Sequence, residues 1–335
     1  MKALVTGAAG HLGTALTELL VTRGHHVRAS LRGSSDPVKS EPLRKLGVEI
    51  VEADVQDAAA MARAAQGMDA LFHLAAVFRF VTDDPEAIIQ PAVQGAENAL
   101  RAAKEAGIPR VVLTSSAVAV GTRRRPDRPL DERDWNDAAK NAYGRAKTLA
   151  ERKAWALADE IGVELVCMNP TCLLGPGFTR HTPITLPIAQ MLDGALPVAV
   201  ALAANYVDTR DVALAHLAAM EKPQASGRYL LSGERKRYVE MARALKALLP
   251  DAKPPSIEIP RALLPLALAG DWLLHKASKA PRLLSRDMIE DYSDDQVEYS
   301  SARAAAELGW APRPFEQSLV DTAGFILEHT PAAYA

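Results

Sequence analysis

The feature that most constrains this chain is Thr6-Gly7-Ala8-Ala9-Gly10-His11-Leu12-Gly13, set between an apolar run at residues 3–6 and a helical pattern over 11–23. A glycine pattern alone is weak evidence; the strand–loop–helix frame gives it weight. Glycines at 7 and 10 permit a tight turn and close approach of backbone to a pyrophosphate. Gly13 permits close packing of helix on strand, and the helix N-terminus supplies N–H donors and a positive dipole. Thr6, Ala9, His11 and Leu12 share the loop and are expected to touch the same ligand.

A loop of this kind belongs to a parallel sheet, and the first half of the chain reads as one. Strands are expected at 3–6, 26–31, 49–52, 70–74, 110–114 and 164–169, with helices at 11–23, 58–65, 88–106 and 142–161. Gly24, Gly107 and Gly162 fall where a helix should stop. After Asn169 the rhythm changes: Pro170, Gly175, Pro176, Gly177, Pro183 and Pro187 punctuate a loop-rich passage. A return to the sheet is expected at 206–207, then a helix over 209–220 and a strand over 228–231. Beyond Ser232 the patterns are mostly helical, with a short strand near 256–259.

The fold class is therefore α/β, a Rossmann-type doubly wound parallel sheet with a smaller, mostly helical substrate-binding domain. Its 335 residues exceed what one hydrophobic core usually serves. Residues 1–170, completed by about 206–231, form the expected dinucleotide-binding domain; 171–205 and 232–335 form the second.

The end of the second strand bears on which nucleotide binds. NAD sites usually place a carboxylate there for the ribose 2′-hydroxyl. This chain reads Arg28-Ala29-Ser30-Leu31-Arg32, without a carboxylate until Asp36. Arg32 suits a 2′-phosphate, with Arg28 and Ser30 as further candidates, so NADP(H) is favoured over NAD(H). Asp54, with Val55 beside it, is placed to accept from the adenine amino group. The bland alternative is a helix cap, for which Asp57 is the better candidate.

Tyr143 and Lys147 open a long helical pattern, and a spacing of four puts phenol and ammonium on one face. A phenol titrates near about 10, so phenolate chemistry at neutral pH needs roughly 4 kcal/mol of preferential stabilisation, which Lys147 and an oxidised nicotinamide can supply. Such a pair is commonly a surface pair. The loop upstream and the hydroxyl-rich strand end Thr114-Ser115-Ser116 argue otherwise here, because ligands bind at the C-terminal edge of such sheets. Ser116 is the expected partner of the substrate oxygen, with Ser115 as the alternative.

Together these residues resemble the extended short-chain dehydrogenase/reductase family over nearly the whole chain. The matching pieces are Thr6–Gly13, Asp54, His73-Leu74-Ala75-Ala76, Ser115-Ser116-Ala117, Tyr143 with Lys147, and Asn169-Pro170-Thr171. The resemblance implies that Leu74, Ala75 and Ala76 line the cofactor. It also implies that Pro170, Thr171 and Cys172 pack at its nicotinamide end, and that Lys147 holds the nicotinamide ribose. Gln90-Pro91-Ala92-Val93-Gln94-Gly95, Arg28–Arg32 and Tyr206–Ala213 look like the dihydroflavonol 4-reductase and cinnamoyl-CoA reductase branch. The segments 76–86 and 308–312 are instead similar to bacterial sugar epimerases. Ala92 and Leu31 depart from the epimerase pattern. Ser116-Ala117 departs from the dehydratases, and the intact Tyr143 departs from regulators that bind cofactor without turnover.

Composition narrows the partners. A formal net charge of −2 gives no field to recruit nucleic acid, and Arg123-Arg124-Arg125 reads as a solvated loop. Two cysteines, Cys167 and Cys172, are too few for a disulfide framework, and no metal-ligand spacing surrounds them. No signal peptide or membrane span is expected, and the cytoplasm is the expected compartment. The apolar stretch 262–274 reads as an amphipathic helix packed on the second domain. The expected activity is reduction of a small or mid-sized ketone or aldehyde, reversibly to the alcohol, with sugar-nucleotide epimerisation or cofactor sensing as alternatives. Phe78, Phe80, Phe178, His181, Ile184 and Met191 are the substrate candidates, because they lie in loops after strands or in the second domain. A homodimer through the long helices is the family-based expectation.

Overall fold

A computed structural model describes residues 1–76, 78, 82–278, 282, 284–292 and 296–333. Phe80, one of the substrate candidates, lies outside them.

Seven parallel strands form the central sheet, in the order β10-β6-β5-β4-β1-β2-β3. They are β1 (Lys2–Thr6), β2 (His26–Leu31), β3 (Glu49–Glu52), β4 (Ala70–His73), β5 (Arg110–Thr114), β6 (Glu164–Pro170) and, much later, β10 (Gly227–Leu231). Their middles are apolar on both sides, as a sheet covered on both faces requires. On one face α1 (His11–Thr22) packs with α7 (Thr209–Glu221), burying Leu12, Leu16 and Leu20 with Val212 and Ala215. On the other lie α3 (Ala58–Ala65), α4 (Glu86–Ala106) and α5 (Ala142–Ile161). Ala96, Ala99 and Ala103 of α4 share that core with Ala154 and Ala158 of α5, and small residues let the two long helices lie close together.

The helices begin and end for local reasons. Asp57 accepts from the Ala60 N–H at 3.0 Å and so caps α3, as expected of it. The Asn141 side chain accepts from the Gly144 N–H at 2.7 Å and fixes the first turn of α5, the turn that carries Tyr143. Gly107 and Gly162 take the left-handed conformation, φ 71° and 65°, that ends α4 and α5.

Several elements differ from expectation. Residues 206–207 do not rejoin the large sheet: β9 (Ala203–Asp208) runs between β7 (Cys172–Leu174) and β11 (Arg235–Arg237) in a separate three-stranded sheet. The loop-rich passage after Asn169 holds both β7 and α6 (Thr185–Asp193), with Pro187 tolerated in the helix's first turn. A further helix, α2 (Pro37–Lys45), has no clear signal in the sequence, because Pro37 and Pro42 read as breakers and it lacks an apolar stripe; Asp36 caps it, accepting from the Val38 N–H at 3.0 Å.

The second part also contains β8 (Ala199–Val200) paired with β12 (Glu258–Ile259), and helices α8 (Tyr238–Leu248), α9 (Leu264–Ser278), α10 (Arg286–Tyr292) and α11 (Phe315–His329). Its core gathers Phe178, Met191, Tyr206, Leu245, Phe315 and Leu319. The expected packing of 262–274 is not what forms. In α9 only Leu264 is buried among the described side chains, while Leu266, Trp272 and Leu273 are exposed. Its leucines are distributed around the helix, so no single neighbour can cover them. Among the described residues no helix is long and apolar enough to cross a membrane.

Candidate active site

The strand order reverses between β1 and β4, and the glycine loop sits at the mouth of the crevice this opens. Gly7 has φ +68°, and a Cβ there would stand 2.8 Å from the Ala75 backbone. A Cβ on Gly13 would stand 2.1 Å from the Gly7 carbonyl oxygen, so α1 can lie this close to the loop only without one. Thr6 ties the loop to the end of β4: its Oγ1 accepts from the Leu74 and Ala75 N–H groups at 3.2 and 3.3 Å, and donates to His73 Nδ1 at 3.0 Å. Burial, then Lys147, lowers the pKa of His73 to about 3, which keeps the ring neutral and able to accept. His11 donates from Nε2 to the Gly175 carbonyl at 2.9 Å and packs edge-on against Phe178, fastening the loop to the second part of the chain.

Two cavities meet at this loop, sharing Gly7, Gly10, His11, Leu74, Ala76 and Phe78. The first, about 410 Å³, runs past Ala9, Asp54, Val55 and Ala75 to Ser30, Arg32 and Lys39. The second, about 270 Å³, runs past Leu12, Gly13, Pro170, Thr171 and Cys172 to Thr114, Ser115, Ser116, Tyr143 and Lys147. Two arms diverging from one phosphate loop fit a dinucleotide, whose two nucleosides diverge from a pyrophosphate.

At the far end of the first arm, Arg32 is exposed, and Lys39 and Arg180 flank it on the cavity wall. Asp36, the nearest carboxylate in sequence after β2, is not part of that wall. It caps α2 and pairs with Lys39 at 3.5 Å and Arg180 at 3.3 Å. Arg28 is corrected as a phosphate candidate: it turns to the Ala64 and Gln66 carbonyls and to Glu49, and fastens β2 to its neighbours. Lys39 and Arg180 carry no local sequence signal, because one comes from α2 and the other from a loop far along the chain.

In the second arm, Tyr143 hydrogen-bonds Ser116, and its ring lies 4.9 Å from that of Phe78. Burial raises the phenol's pKa far above its ordinary range, against the lowering effect of the Ser116 bond. In the chain alone, desolvation outweighs the Ser116 bond and favours the protonated phenol. Desolvation also draws Lys147 down to about 8, opposed by Glu151, and its Nζ donates to the Thr114 carbonyl at 3.0 Å. Ser115 is engaged elsewhere. Its hydroxyl donates to Glu151, a carboxylate with no exposed surface that also receives Asn169 Nδ2 at 2.8 Å and Arg228 Nε at 2.5 Å. Positions 143, 147 and 151 form one stripe on α5, and that four-residue repeat was the available signal for Glu151.

The remaining substrate candidates divide. Phe78 and Ile184 line the second cavity and His181 the first, whereas Phe178 and Met191 are buried in the second core and line neither. Their apolar side chains meet α11 and β9 in place of a ligand. Asn205, Arg235, Val297 and Tyr299 line the second cavity without any motif having pointed to them.

Fold and site together define an enzyme built around a dinucleotide with a nicotinamide end. The chain belongs to the NAD-dependent epimerase/dehydratase family, whose sequence model matches residues 3–231. It is 40% identical over 260 residues to cinnamoyl-CoA reductase 1 of Arabidopsis thaliana, covering 74% of each chain. It is 30% identical over 345 residues to an anthocyanidin reductase of Vitis vinifera, covering 90% of this chain and 95% of that one. The crystal structure of gox2253 superposes with a TM-score of 0.82 at 30% identity, over 98% of this chain and 99% of the other. These relatives place the chain in the reductase branch of the family, among oxidoreductases.

Proposed function

We propose that the chain is an NADPH-dependent carbonyl reductase acting on a ketone or aldehyde. The observation that carries this reading is the cluster of Ser116, Tyr143 and Lys147 on the wall of a cavity that opens from the phosphate loop. Arg32 and Lys39, with Arg180 beside them, would hold a 2′-phosphate. Gly7, Gly10 and the N-terminus of α1 would hold the pyrophosphate, and Pro170 to Cys172 the nicotinamide end.

The bound nicotinamide supplies the hydride. Ser116 orients the carbonyl oxygen beside Tyr143, and Tyr143 gives that oxygen its proton. A buried phenol that keeps its proton across the neutral range is already the required acid for reduction. Lys147, half-ready to lose its own charge at about 8, is held by Thr114 where it can bond a ribose hydroxyl.

The test is NADPH oxidation with a panel of ketones and aldehydes, in the parent and in Tyr143→Phe. Loss of the acid should slow turnover by about 100-fold or more while cofactor binding persists. Equal rates in both proteins would remove Tyr143 from the mechanism. Failure of every carbonyl, with interconversion of sugar nucleotides and no net cofactor consumption, would replace the reductase by an epimerase.

A further inference from the structure

We propose that Glu151 is a positioning residue of the reaction, a buried carboxylate one helical turn beyond Lys147 that keeps the Lys147 ammonium charged beside Tyr143. The inference rests on the reductase reading and adds a residue to that site. Glu151 has no exposed surface and lines neither cavity, so it acts through its neighbours.

Its place is fixed by the donors that converge on it. Ser115 donates its hydroxyl to Oε2, and Asn169 of β6 donates Nδ2 to the same oxygen at 2.8 Å. Arg228 of β10 donates Nε to Oε1 at 2.5 Å and Nη2 to Oε2 at 3.4 Å. The second hydrogen of Asn169 Nδ2 serves the Ser116 carbonyl at 3.2 Å, so the backbone that carries the Ser116 hydroxyl is tied into the same network. Lys147 reaches that strand end as well, donating Nζ to the Thr114 carbonyl at 3.0 Å. Ammonium and carboxylate, four residues apart on α5, are thus held by consecutive residues, Thr114 and Ser115.

The charges around Lys147 give this placement an electrostatic effect. Burial draws the ammonium down to about 8, and Glu151 is the leading opposing influence, followed by Cys167 of β6. Cys167 is itself pushed well up by burial, so its thiol carries no charge in the neutral range. His73 of β4 faces Lys147 and is neutral, with a pKa of about 3, and Tyr143 keeps its proton. Arg228 stands behind Glu151, buried, stacked on Trp135 at 3.9 Å and bonded to the Glu132 and Asp134 carbonyls. A buried ion pair such as Glu151 with Arg228 is a weak source of stability, because its attraction must first repay the desolvation of both charges. In a dry interior, however, a carboxylate one turn away acts on an ammonium with little screening. When Tyr143 gives its proton to the carbonyl oxygen a phenolate is left, and a charged Lys147 one turn along α5 stabilises it.

The test follows Lys147 directly. In protein labelled with carbon-13 at lysine Cε, NMR gives the titration of Lys147, its resonance assigned by its loss in Lys147→Met. The pH dependence of kcat/KM for NADPH-driven reduction of an aldehyde is measured beside it. In the parent both should break near about 8. In Glu151→Gln, which keeps shape and hydrogen bonding but not charge, both should move down by about one pH unit or more. Most of the lost activity should return at low pH, where Lys147 is charged again. Because Glu151→Gln leaves Arg228 buried without its counter-ion, the double variant Glu151→Gln, Arg228→Met serves where the single one does not fold, and the same downward shift is expected of it. An unshifted Lys147 in a folded variant, or a loss of kcat/KM equal at every pH, overturns the proposal. Failure of both variants to fold would make the pair a structural tie and overturn it too. If the parent reduces no carbonyl but Lys147 still shifts, the reductase reading fails and the charge coupling stands. If neither is seen, both fail.

Discussion

At the scale of single residues, the site depends on what burial does to ionisable groups. Tyr143 is held protonated and Lys147 is drawn down to about 8, both first by desolvation. The cost of charging a buried group thus favours the neutral form of each, the protonated phenol of Tyr143 and the uncharged amine of Lys147. At the opposite end of the crevice Arg32 is exposed and shares the cavity wall with Lys39. Replacing both in an Arg32→Ser, Lys39→Ser variant should raise the Michaelis constant for NADPH by about tenfold or more while leaving that for NADH within about twofold. Steady-state kinetics with the two cofactors checks this. A parallel loss with NADH would mean that these cations serve the adenosine generally and not a 2′-phosphate.

At the scale of elements, the glycine loop works by absence of side chains. A methyl group at Gly13 would meet the Gly7 carbonyl oxygen at 2.1 Å, and backbone on both sides leaves it nowhere to go. Gly13→Ala should cost roughly 1–3 kcal/mol of stability, the usual range for overpacking, and weaken NADPH binding as α1 is pushed from the loop. Urea unfolding and cofactor titration read the two effects, and an unchanged variant would show that the loop tolerates a looser helix. This element was legible in the sequence because its frame is local: strand, glycines and helix lie within a few residues of each other. So was α5, where Tyr143 and Lys147 are one turn apart and Asn141 caps the helix just before them. The small sheet of β7, β9 and β11 was not legible, since its strands are three to six residues long and their partners lie about thirty residues away. Asn205 and Arg235 reach the cavity wall only when that sheet folds, and no local pattern announces it. Phe178 and Met191 show the opposite failure: apolar residues in a variable segment suggested a ligand, and the second core claimed them.

Across the whole molecule, three histidines connect the parts and are neutral for the same reason. His11 joins the loop to Gly175, His73 joins β4 to Thr6, and His216 accepts from Thr114 at 2.7 Å while donating to the Val212 carbonyl. Burial is the leading cause that lowers them from 6.5 to about 4, about 3 and about 4. Their folded pKa values lie below the unfolded one, so the unfolded chain binds more protons between those limits. The stability they contribute is fully present above about 6.5 and is lost as pH falls towards about 4, at up to about 1.4 kcal/mol per pH unit for each ring. Urea unfolding from pH 7.5 to 4.5 should therefore show a steep fall below pH 6.5, shallower in His216→Gln. A flat profile over that range would mean that the rings are protonated in the folded chain.

The central claim is that hydride passes to a carbonyl carbon in the cavity walled by Ser116, Tyr143 and Lys147. The most direct test supplies NADPH deuterated at the transferring carbon, with an accepted aldehyde, and follows the label by NMR. The account predicts one deuterium on the carbinol carbon for each NADPH oxidised, on a single face, with the rate nearly abolished in Tyr143→Phe. Oxidation of NADPH without deuterium in the alcohol, or full labelling at an undiminished rate in the variant, would contradict it.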